Sequence, residues 1–562
     1  MMVRFFSAMG REVRGMHEAA YVLAGFALLS QVLALLRDRI LAAQFGASHT
    51  LDLYYAAFRI PDFLFATVAS LLSLYALLPV LSRLQTQEEG LMVSFLGDML
   101  LVFFAGMGVV AGVLFFFVPG LVDLIAPGFA SDPVSHAQLI LLVRILLLQP
   151  IFLGASNTLS ALTQLRHRFV LYSISPLLYN LGIIFGAVFL YPHIGIAGLG
   201  WGVVLGALMH MAVQAPFFFS EKSEARLPLG KVMKRLKEVL MLSVPRTLAL
   251  AAGQISLLVI VALASFLAPG SIAVFTFAFN LQAVPLTIIG VSYSVAAFPT
   301  LSRLYAQGKR REFGEHIEAA LRHMLFWAIP ATVFVIVLRA QLVRVILGAG
   351  AFSWSATRLT AAALALFIIS LAAQSISLLI ARAYYAAGDT RKPLYRGVID
   401  IVVSIGSAVG LVALFHSSAF LRDFIESLLR VSDIPGTTVL MLALGYTLGA
   451  LAQCFVGFSF ILRDFSLPHS RLLRLSFQGF SAAVIGSAAS YVILDITGNL
   501  VNINTTLGVF TQGASAGLAG LLVAVFMLWL LKNQELAEAW QAFTRHFQDT
   551  PPVALEPTEV AS

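Results

Sequence analysis

The sequence contains few charged residues and only one cysteine. Asp, Glu, Lys and Arg make up 11% of its 562 residues, against roughly 25% in an ordinary soluble domain. Hydrophobic residues make up 59%, and the mean hydropathy is +0.90. This composition excludes a chain whose surface lies mostly in water. The single Cys454 excludes an intrachain disulfide and a multi-cysteine metal site.

Motifs of nucleotide- and metal-dependent enzymes are also missing from the sequence. There is no Walker A loop and no His-x-x-x-His pair, and the Gly-x-Ser-x-Gly match at 513–517 lies within a hydrophobic run rather than at a strand-to-helix turn. No connection between the hydrophobic runs is long enough to fold into a nucleotide-sugar-binding domain. We therefore predict a protein that is not an enzyme and has no resident cofactor, which argues against ATP-driven pumping by this chain alone and against a membrane glycosyltransferase.

Long hydrophobic runs are what the sequence does have. A bilayer core needs about 20 apolar residues per helix, and a backbone in lipid must satisfy its own hydrogen bonds. The runs predict an all-α integral membrane protein of about 14 transmembrane helices. The predicted spans lie near 20–36, 53–82, 91–118, 137–162, 169–191, 195–219, 238–267, 271–302, 321–347, 357–386, 394–415, 437–462, 473–493 and 507–531.

Lys and Arg accumulate in alternate connections between these spans. Basic connections include 166–168, 222–237, 303–311 and 391–392, whereas 123–132, 191–193 and 497–504 carry no Lys or Arg. Positive charge is retained on the cytoplasmic side, so we predict a multi-pass protein of the bacterial cytoplasmic (inner) membrane with both termini cytoplasmic. The same distribution explains the net charge of +8 without nucleic acid as a partner.

Two outward segments depart from this alternation. Arg37 and Arg39 follow the first span, and the segment 416–437 is charged. Within that segment Phe420, Phe424 and Leu428 recur at helical spacing opposite charged residues. This spacing predicts an amphipathic helix at the outer membrane surface.

An internal repeat relates the two halves of the chain. Residues 77–84 (LLPVLSRL) recur as 297–304 (AFPTLSRL), and 161–168 end the fourth span much as 383–390 end the tenth. Six spans separate the equivalent elements, so the two six-helix bundles share one orientation and are related by a pseudo-two-fold axis along the membrane normal. Two such bundles predict a central cavity that opens to each side in turn.

These patterns divide the chain into six segments. We predict a cytoplasmic N-terminal segment (1–19), an N-terminal six-helix bundle (20–219), a basic cytoplasmic linker (220–237), a C-terminal six-helix bundle (238–462), helices 13 and 14 outside the repeat (463–531) and a cytoplasmic tail (532–562). Within the tail, 533–548 predict a short amphipathic helix and 549–562 predict disorder.

Ionisable residues within the spans are the candidates for function, because each costs about 2.5–3.5 kcal/mol at the membrane centre. Arg59 and Asp62 lie three residues apart, and either form an ion pair or contact substrate. Arg144 is expected to face the cavity, while Arg246, next to Pro245, either faces the cavity or reaches the interface.

Asp400 follows Arg396 by four residues. The two form a helical salt bridge, or Asp400 binds a coupling cation or proton. His210 and Asn180 are expected to make hydrogen bonds between helices.

The sequence resembles the lipid II flippase family (MurJ/MviN) of the multidrug and oligosaccharidyl-lipid exporters. The resemblance covers roughly 20–530, and its most specific pieces are 36–38 with 43–48 and Asp52, 57–61, 254–257 with 264–267, 298–302, and 382–386 with 388–393. It implies a V-shaped bundle in which a cationic cavity holds the diphosphate head group. It also implies that helices 13 and 14 form a groove for the polyprenyl tail.

The resemblance gives roles to several residues. Arg37 and Arg59 would bind phosphate together with Arg144 and Arg246. Asp38 and Asp52 would order these arginines or close an outer gate, with Asp62, Gln254 and Asn280 in supporting positions. The implied partners are a polyprenyl-diphosphate-linked substrate, membrane lipids and cell-wall synthesis proteins, and Na⁺ or H⁺ coupling at Asp400 or the membrane potential would drive the cycle.

The sequence departs from the family where three cavity arginines are expected. Gln31, the pair Phe65–Ala66 and Asn280 stand at those positions, and a neutral side chain replaces a bidentate arginine poorly. Lipid II transport is the main hypothesis. The alternatives are a different polyprenyl-diphosphate-linked glycan, a multidrug or cation antiporter, and a non-transporting scaffold for cell-wall synthesis.

Overall fold

The computed structural model describes residues 16–68, 81, 89–220, 229–465, 470–502 and 505–548, and within these ranges it contains helices and no strands. The helices are α1 (Met16–Phe45), α2 (His49–Ala57), α3 (Arg59–Thr67), α4 (Glu89–Ile125), α5 (Pro133–Leu146), α6 (Gln149–Leu165), α7 (Phe169–Phe185), α8 (Tyr191–Ile194), α9 (Ile196–Ala212), α10 (Ala215–Ser220), α11 (Leu229–Ala264), α12 (Ser271–Leu286), α13 (Ser292–Ala306), α14 (Arg310–Leu347), α15 (Trp354–Ile368), α16 (Leu371–Ala386), α17 (Arg391–Ser417), α18 (Ala419–Leu429), α19 (Val439–Phe465), α20 (Ser470–Leu500), α21 (Thr506–Leu530) and α22 (Gln534–Gln548).

The predicted all-α membrane architecture is confirmed. Among the described residues, ten helical segments are long and apolar enough to cross a membrane, and the bent pair α15–α16 makes eleven. The predicted span near 20–36 lies within α1 and that near 238–267 lies within α11 except for its last three residues, whereas the span 53–82 falls partly outside the described residues. The count of fourteen therefore stays a prediction.

Matching breaks in the fourth and tenth spans reflect the internal repeat. The chain breaks between α5 and α6 at residues 147–148, and between α15 and α16 at residues 369–370. The offset of 222 residues equals the offset of the repeat between 161–168 and 383–390. The second break bends the span by 45°, so the two halves share an irregular element as well as a sequence pattern.

Glycines allow two helices of the N-terminal half to pack with their backbones in contact. A Cβ atom on Gly182 would lie 2.3 Å from the Cα atom of Gly206, and one on Gly186 would lie 2.4 Å from that of Gly202. Small residues permit this approach between membrane helices. The pair α7–α9 therefore depends on glycine at these positions.

The two halves are in contact at the predicted outer end. The largest apolar cluster contains Leu41 and Leu51 from the first half together with Phe277, Phe352 and Phe415 from the second. At the predicted inner end, a separate cluster that includes Leu301, Phe313 and Ile461 lies wholly within the second half. Helix α11 of the second half also packs against α3 and α4 of the first half.

The accessory helices pack on the outside of the second half. Helices α20 and α21 pair with each other and lie against α14, as expected for helices outside the repeat. The predicted tail helix is confirmed as α22, which docks on α14 through an ion pair of 3.0 Å between Arg322 and Glu535. The predicted disorder at 549–562 concerns residues outside the described part of the chain.

The amphipathic segment before the twelfth span forms the predicted helix, α18. Its apolar side chains Phe420, Phe424 and Leu428 are 81%, 53% and 62% exposed. Such a row of exposed apolar side chains is what a helix lying in the membrane interface presents to lipid.

We predict that Gly202→Ala lowers the stability of the protein by about 1–3 kcal/mol, because the added methyl group overpacks the α7–α9 contact. Thermal unfolding in detergent micelles measures this loss. Gly106→Ala in α4 is the matched control, since a Cβ atom there meets nothing within 4 Å. Equal unfolding temperatures for the two variants would contradict the assigned role of the glycine contact.

Candidate functional site

A polar network centred on Arg37 connects helices of both halves. The Arg37 guanidinium contacts the Asp38 carboxylate at 2.7 Å and donates from Nη1 to Oδ1 of Asn180 on α7 at 2.9 Å. On the other side, Nδ2 of Asn280 on α12 donates to Oδ2 of Asp38 at 3.0 Å. A buried charge requires such partners, and here they come from α1, α7 and α12.

The network explains what Asn280 does in place of arginine. Its amide bonds the second oxygen of Asp38, while the first oxygen accepts two hydrogen bonds from Arg37. A neutral donor at this position leaves Arg37 as the one cation bound to the carboxylate in the described part of the chain. Arg37 is thus held by protein groups in this conformation, and its predicted contact with phosphate stays a prediction.

Asp52 forms a second connection between the halves. It lies on α2 and is 3% exposed, and its two carboxylate oxygens accept hydrogen bonds from the backbone N–H groups of Gly270 at 2.5 Å and Ala273 at 2.8 Å. The first N–H groups of a helix lack intrahelical partners and favour negative charge. Asp52 therefore caps the start of α12 from the opposite half.

Glycine makes this capping contact possible. Gly270 has a φ of +90°, which side chains other than glycine rarely adopt. A Cβ atom here would lie 2.3 Å from the carbonyl oxygen of Ala47. The loop before α12 can therefore approach the end of the first span closely enough for Asp52 to reach its N–H groups.

Arg39 forms a third connection, which the sequence analysis did not assign. Its guanidinium donates to the carbonyl oxygens of Val345 and Ile346 in the last turn of α14, where cations are favoured by the helix dipole. Nearby, the N–H of Ala351 donates to the carbonyl of Ala43 at 2.7 Å. One feature of the sequence could have indicated this contact. Arg39 lies on the outward side, where the alternation of basic connections leaves a positive charge unexplained.

We call these three connections the outer gate: Arg37–Asp38–Asn280, Asp52 with Gly270 and Ala273, and Arg39 with Val345 and Ile346. All three lie at the predicted outer end, and each joins the N-terminal half to the C-terminal half. The gating role expected of Asp38 and Asp52 stays a prediction. Together with the apolar cluster, the outer gate holds the two halves in contact at this end of the molecule.

Arg59 and Asp62 do not form the ion pair that was one of the two interpretations. The Nε atom of Arg59 approaches the carbonyl oxygen of Tyr55, on the preceding turn, at 3.5 Å, and among the described residues no carboxylate lies within ion-pair distance of its guanidinium. Asp62 lies near Gln149 on α6. The ion pair is thus absent, and contact of Arg59 with substrate stays a prediction.

Arg144 has a structural role that the sequence analysis missed. Its Nε atom donates to the carbonyl oxygen of Phe115 at 3.3 Å, and its guanidinium lies 4.6 Å from the centre of that ring. Pro119 follows Phe115 by four residues within α4, and proline has no N–H to bond that carbonyl. Arg144 supplies the missing donor, so its place in the span is explained without a substrate.

Arg396 and Asp400 do not form the predicted salt bridge. Arg396 is 2% exposed and its guanidinium donates to the carbonyl oxygens of Gln453 at 3.4 Å and Ser377 at 3.3 Å. Asp400 instead accepts from Ser404 at 3.4 Å. Glycine at position 457 leaves room for the guanidinium to reach these carbonyls. A Cβ atom there would lie 2.3 Å from Arg396 Nε.

A polar cavity in the C-terminal half contains both residues. It has a volume of about 380 Å³ and lies between α16, α17 and α19, with Gln374, Tyr446 and Gln453 in its wall besides Arg396 and Asp400. Asp400 thus reaches a polar cavity without a cation bound to it in the described part of the chain. This geometry is compatible with ion or proton binding.

The remaining candidates fall into two groups. The side chain of Arg246, on α11, is outside what the structure describes, and Gln254 on the same helix is half-buried. His210 makes the predicted contact between helices, since Ser156 Oγ lies 2.7 Å from its Nδ1. Asn180 likewise bridges helices, and its partner is Arg37.

We predict that Asp52→Ala opens the outer gate. A disulfide between cysteines introduced at Ala43 and Ala351, in a Cys454→Ser background, reports closure because these backbones are in contact. Losing a helix cap removes about 1 kcal/mol, so the cross-linking yield should fall several-fold.

Asp132→Ala is the control for this experiment, because Asp132 caps α5 within its own half. The Asp132→Ala variant should form the disulfide with the same yield as the parent. A fall of the same size in both variants would show that the Asp52 contact does not hold the gate.

The chain is similar in sequence to proteins of one family over most of its length. The family model described as "Lipid II flippase MurJ" matches residues 41–497. The lipid II flippase MurJ of Burkholderia cenocepacia is 26% identical over 393 residues, covering 69% of this chain and 76% of the relative. The probable lipid II flippase MurJ of Thermotoga maritima is 26% identical over 447 residues, covering 74% and 88%.

Solved structures share the fold. A lipid II flippase MurJ in an inward closed conformation superposes with a TM-score of 0.69 at 20% identity, covering 91% of this chain and 99% of that one. An inward-facing MATE-family multidrug resistance transporter gives a TM-score of 0.63 at 14% identity, covering 78% and 94%. At this identity the two likenesses show the fold alone. Because the family model extends over far more than half of the sequence, this chain belongs to the MurJ lipid II flippase family.

Proposed function

We propose that this protein carries lipid II, a polyprenyl-diphosphate-linked peptidoglycan precursor, from the inner to the outer leaflet of the bacterial cytoplasmic membrane. The observation that carries this proposal is the family match over 41–497, in a chain whose two halves meet at a closed outer gate. Transport requires no covalent chemistry. The two bundles rock about a central site while both termini remain cytoplasmic.

Arg59 is the proposed anchor for the diphosphate. Its guanidinium has no carboxylate partner in the described residues, and arginine binds phosphate oxygens through paired, charge-assisted hydrogen bonds. Arg59 is half-buried, and a cation partly removed from water without a carboxylate is costly, so a diphosphate would relieve this cost. Arg246 would add a second positive charge from α11.

Arg37 would connect substrate binding to opening of the outer gate. A phosphate and the Asp38 carboxylate compete for the same guanidinium, and a guanidinium that moves to phosphate leaves Asp38 held only by Asn280. The contact between α1 and α12 would then weaken. Binding of the head group would therefore favour the outward-open conformation.

The polyprenyl tail has an apolar groove available. A cavity of about 580 Å³ lies between α14, α16, α19 and α20, and its lining includes Leu325, Phe455, Phe458, Leu472 and Leu473. Phe455 and Leu473 are 74% and 71% exposed. The groove adjoins the accessory segment 463–531, where the tail was expected to bind.

Asp400 is the proposed site of Na⁺ or H⁺ coupling. Its carboxylate lies in the polar cavity of the C-terminal half without an ion-pair partner among the described residues. One charge that crosses a potential of 100 mV supplies about 2.3 kcal/mol. A single coupled cation, or the membrane potential acting on the protein, would suffice to bias the return step.

A different polyprenyl-diphosphate-linked glycan is the second candidate substrate. It is favoured by the neutral residues Gln31, Phe65, Ala66 and Asn280 at positions where the family has arginines. The diphosphate and tail would be held in the same way, and cell-wall synthesis proteins would be partners in either case.

Depletion of the resident flippase in a bacterial host tests the proposal. We expect the parent chain to restore growth and outer-leaflet lipid II, and Arg59→Ala to lose most of both because the phosphate contact is gone. Arg311→Ala is the matched control, since this arginine is 92% exposed and pairs with Glu315. Full rescue by Arg59→Ala would remove its assigned role, and failure of the well-expressed parent would favour another glycan.

The coupling proposal has a separate test in proteoliposomes. Asp400→Asn should make lipid transport independent of an imposed pH gradient and much less dependent on a Na⁺ gradient, since the neutral amide cannot take up the proton and binds Na⁺ more weakly than a carboxylate does. Asp123→Asn, at the predicted outer end, is the control and should keep the parent's dependence. An unchanged gradient dependence in Asp400→Asn would place coupling elsewhere.

A further inference from the structure

A second polar cavity lies at the predicted outer end of the C-terminal half, away from the outer gate. It has a volume of about 620 Å³ and is enclosed by α14, α15, α18 and α20. Its polar and aromatic lining consists of Arg339, Arg358, Arg430, Gln341, Trp354, Tyr491 and Asp495. Three arginines in one cavity raise the question of what balances their charge.

One of the three is neutralised by the protein. The two terminal nitrogens of Arg358 contact the carboxylate of Asp433 at 2.6 and 2.7 Å, and Nη2 also donates to the Arg430 carbonyl. The hydrogen bonds from Arg358 hold the pKa of Asp433, in the connection before α19, below its usual range. Asp433 therefore remains ionised, and this pair carries no net charge.

The other two arginines lack such a partner. Arg339 donates to the carbonyl of Ile336, in its own helix, at 2.8 Å, and Arg430 donates to the hydroxyl of Tyr491 at 3.4 Å. Within the described part of the chain neither guanidinium has a carboxylate within 4.0 Å. The nearby Asp495 lines the cavity without pairing with either, and the two like charges repel each other. An anion between them would remove that repulsion.

The depth of the cavity indicates where such an anion would come from. Arg339 precedes the end of α14 at Leu347 by eight residues, which corresponds to ~12 Å along a helix. Trp354 and Tyr491 are 50% and 54% exposed, and such aromatic side chains concentrate at the level of lipid head groups. The exposed apolar row of α18 lies beside them, so the surroundings suit a lipid rather than a free ion.

We infer that Arg339 and Arg430 bind the phosphate group of an anionic phospholipid in the outer leaflet, with its acyl chains against the apolar side chains of α18. The lipid connects the core of the C-terminal half to the accessory pair, because α14 and α20 both line the cavity. Gln341 on α14 and Gln512 on α21 form a hydrogen bond of 3.4 Å beside it. The site does not depend on lipid II transport, since binding is measured without it.

The test titrates the purified full-length protein with dioctanoyl-phosphatidylglycerol and follows thermal unfolding and native mass spectrometry. We expect the lipid to bind the parent saturably. The Arg339→Gln/Arg430→Asn variant should bind it with an affinity lower by about tenfold or more, because it loses two charge-assisted contacts. Asparagine suits position 430 because φ there is +59°. Arg422→Gln, on the charged side of α18, is the matched control and should bind like the parent.

Two further probes identify the ligand's source. Dioctanoylglycerol lacks the phosphate and should bind weakly to every variant, and inorganic phosphate lacks the chains and should not compete at equal concentration. Three results would each overturn the inference. They are binding of dioctanoylglycerol as tight as that of phosphatidylglycerol, full competition by inorganic phosphate, and parent-like binding of phosphatidylglycerol by the double variant. The folding control for the double variant is an elution volume and an unfolding temperature without lipid that match those of the parent. A second variant, Arg339→Lys/Arg430→Lys, keeps both charges and should retain most of the binding.

Discussion

The constraint on which this structure depends is the cost of placing an ionised side chain between apolar helices. A charge there is retained only if a carboxylate, a carbonyl or a bound ligand compensates it. Each intramembrane arginine can therefore be interpreted through its partner. Arg144 and Arg396 find backbone carbonyls and Arg37 finds a carboxylate. Arg59 finds one carbonyl at 3.5 Å and, among the described residues, no carboxylate within ion-pair distance, which makes it the proposed site for a diphosphate.

Under the proposed function, the same constraint would link closure of the outer gate to binding of substrate. The gate is made of charged groups from one half that satisfy polar groups of the other: Asp38 with Asn280, Asp52 with the N–H groups before α12, and Arg39 with the last carbonyls of α14. These contacts are strong while water is excluded. They are also replaceable, because a phosphate group offers Arg37 what Asp38 offers it. A gate made only of apolar side chains would have no comparable response to an anion.

The replacement of an expected arginine by Asn280 is consistent with this arrangement. An arginine there would bring a second cation to Asp38, whereas the amide completes the carboxylate's hydrogen bonds without adding charge. Under the proposed function, Arg59 and Arg246 would then carry more of the positive charge offered to the substrate. At the outer end of the same half, Arg339 and Arg430 show the opposite situation, in which two cations line one cavity and neither is paired with a carboxylate among the described residues.

The sequence by itself determined the helical membrane architecture, the approximate limits of most spans, the repeat and the family. Hydrophobic runs and their spacing are local, and lipid allows a long apolar run few structures other than a helix. It also placed Asp38 and Asp52 among the gating candidates.

Only the tertiary structure decided which partner each charge has. Arg144 and its acceptor Phe115 are 29 positions apart in the sequence, and Asn280 and its acceptor Asp38 are 242 positions apart. The salt bridge expected between Arg396 and Asp400 from their spacing is absent, because α16 and α19 bring carbonyls closer to the guanidinium. Such choices depend on how distant helices pack, and helical periodicity carries no information about that.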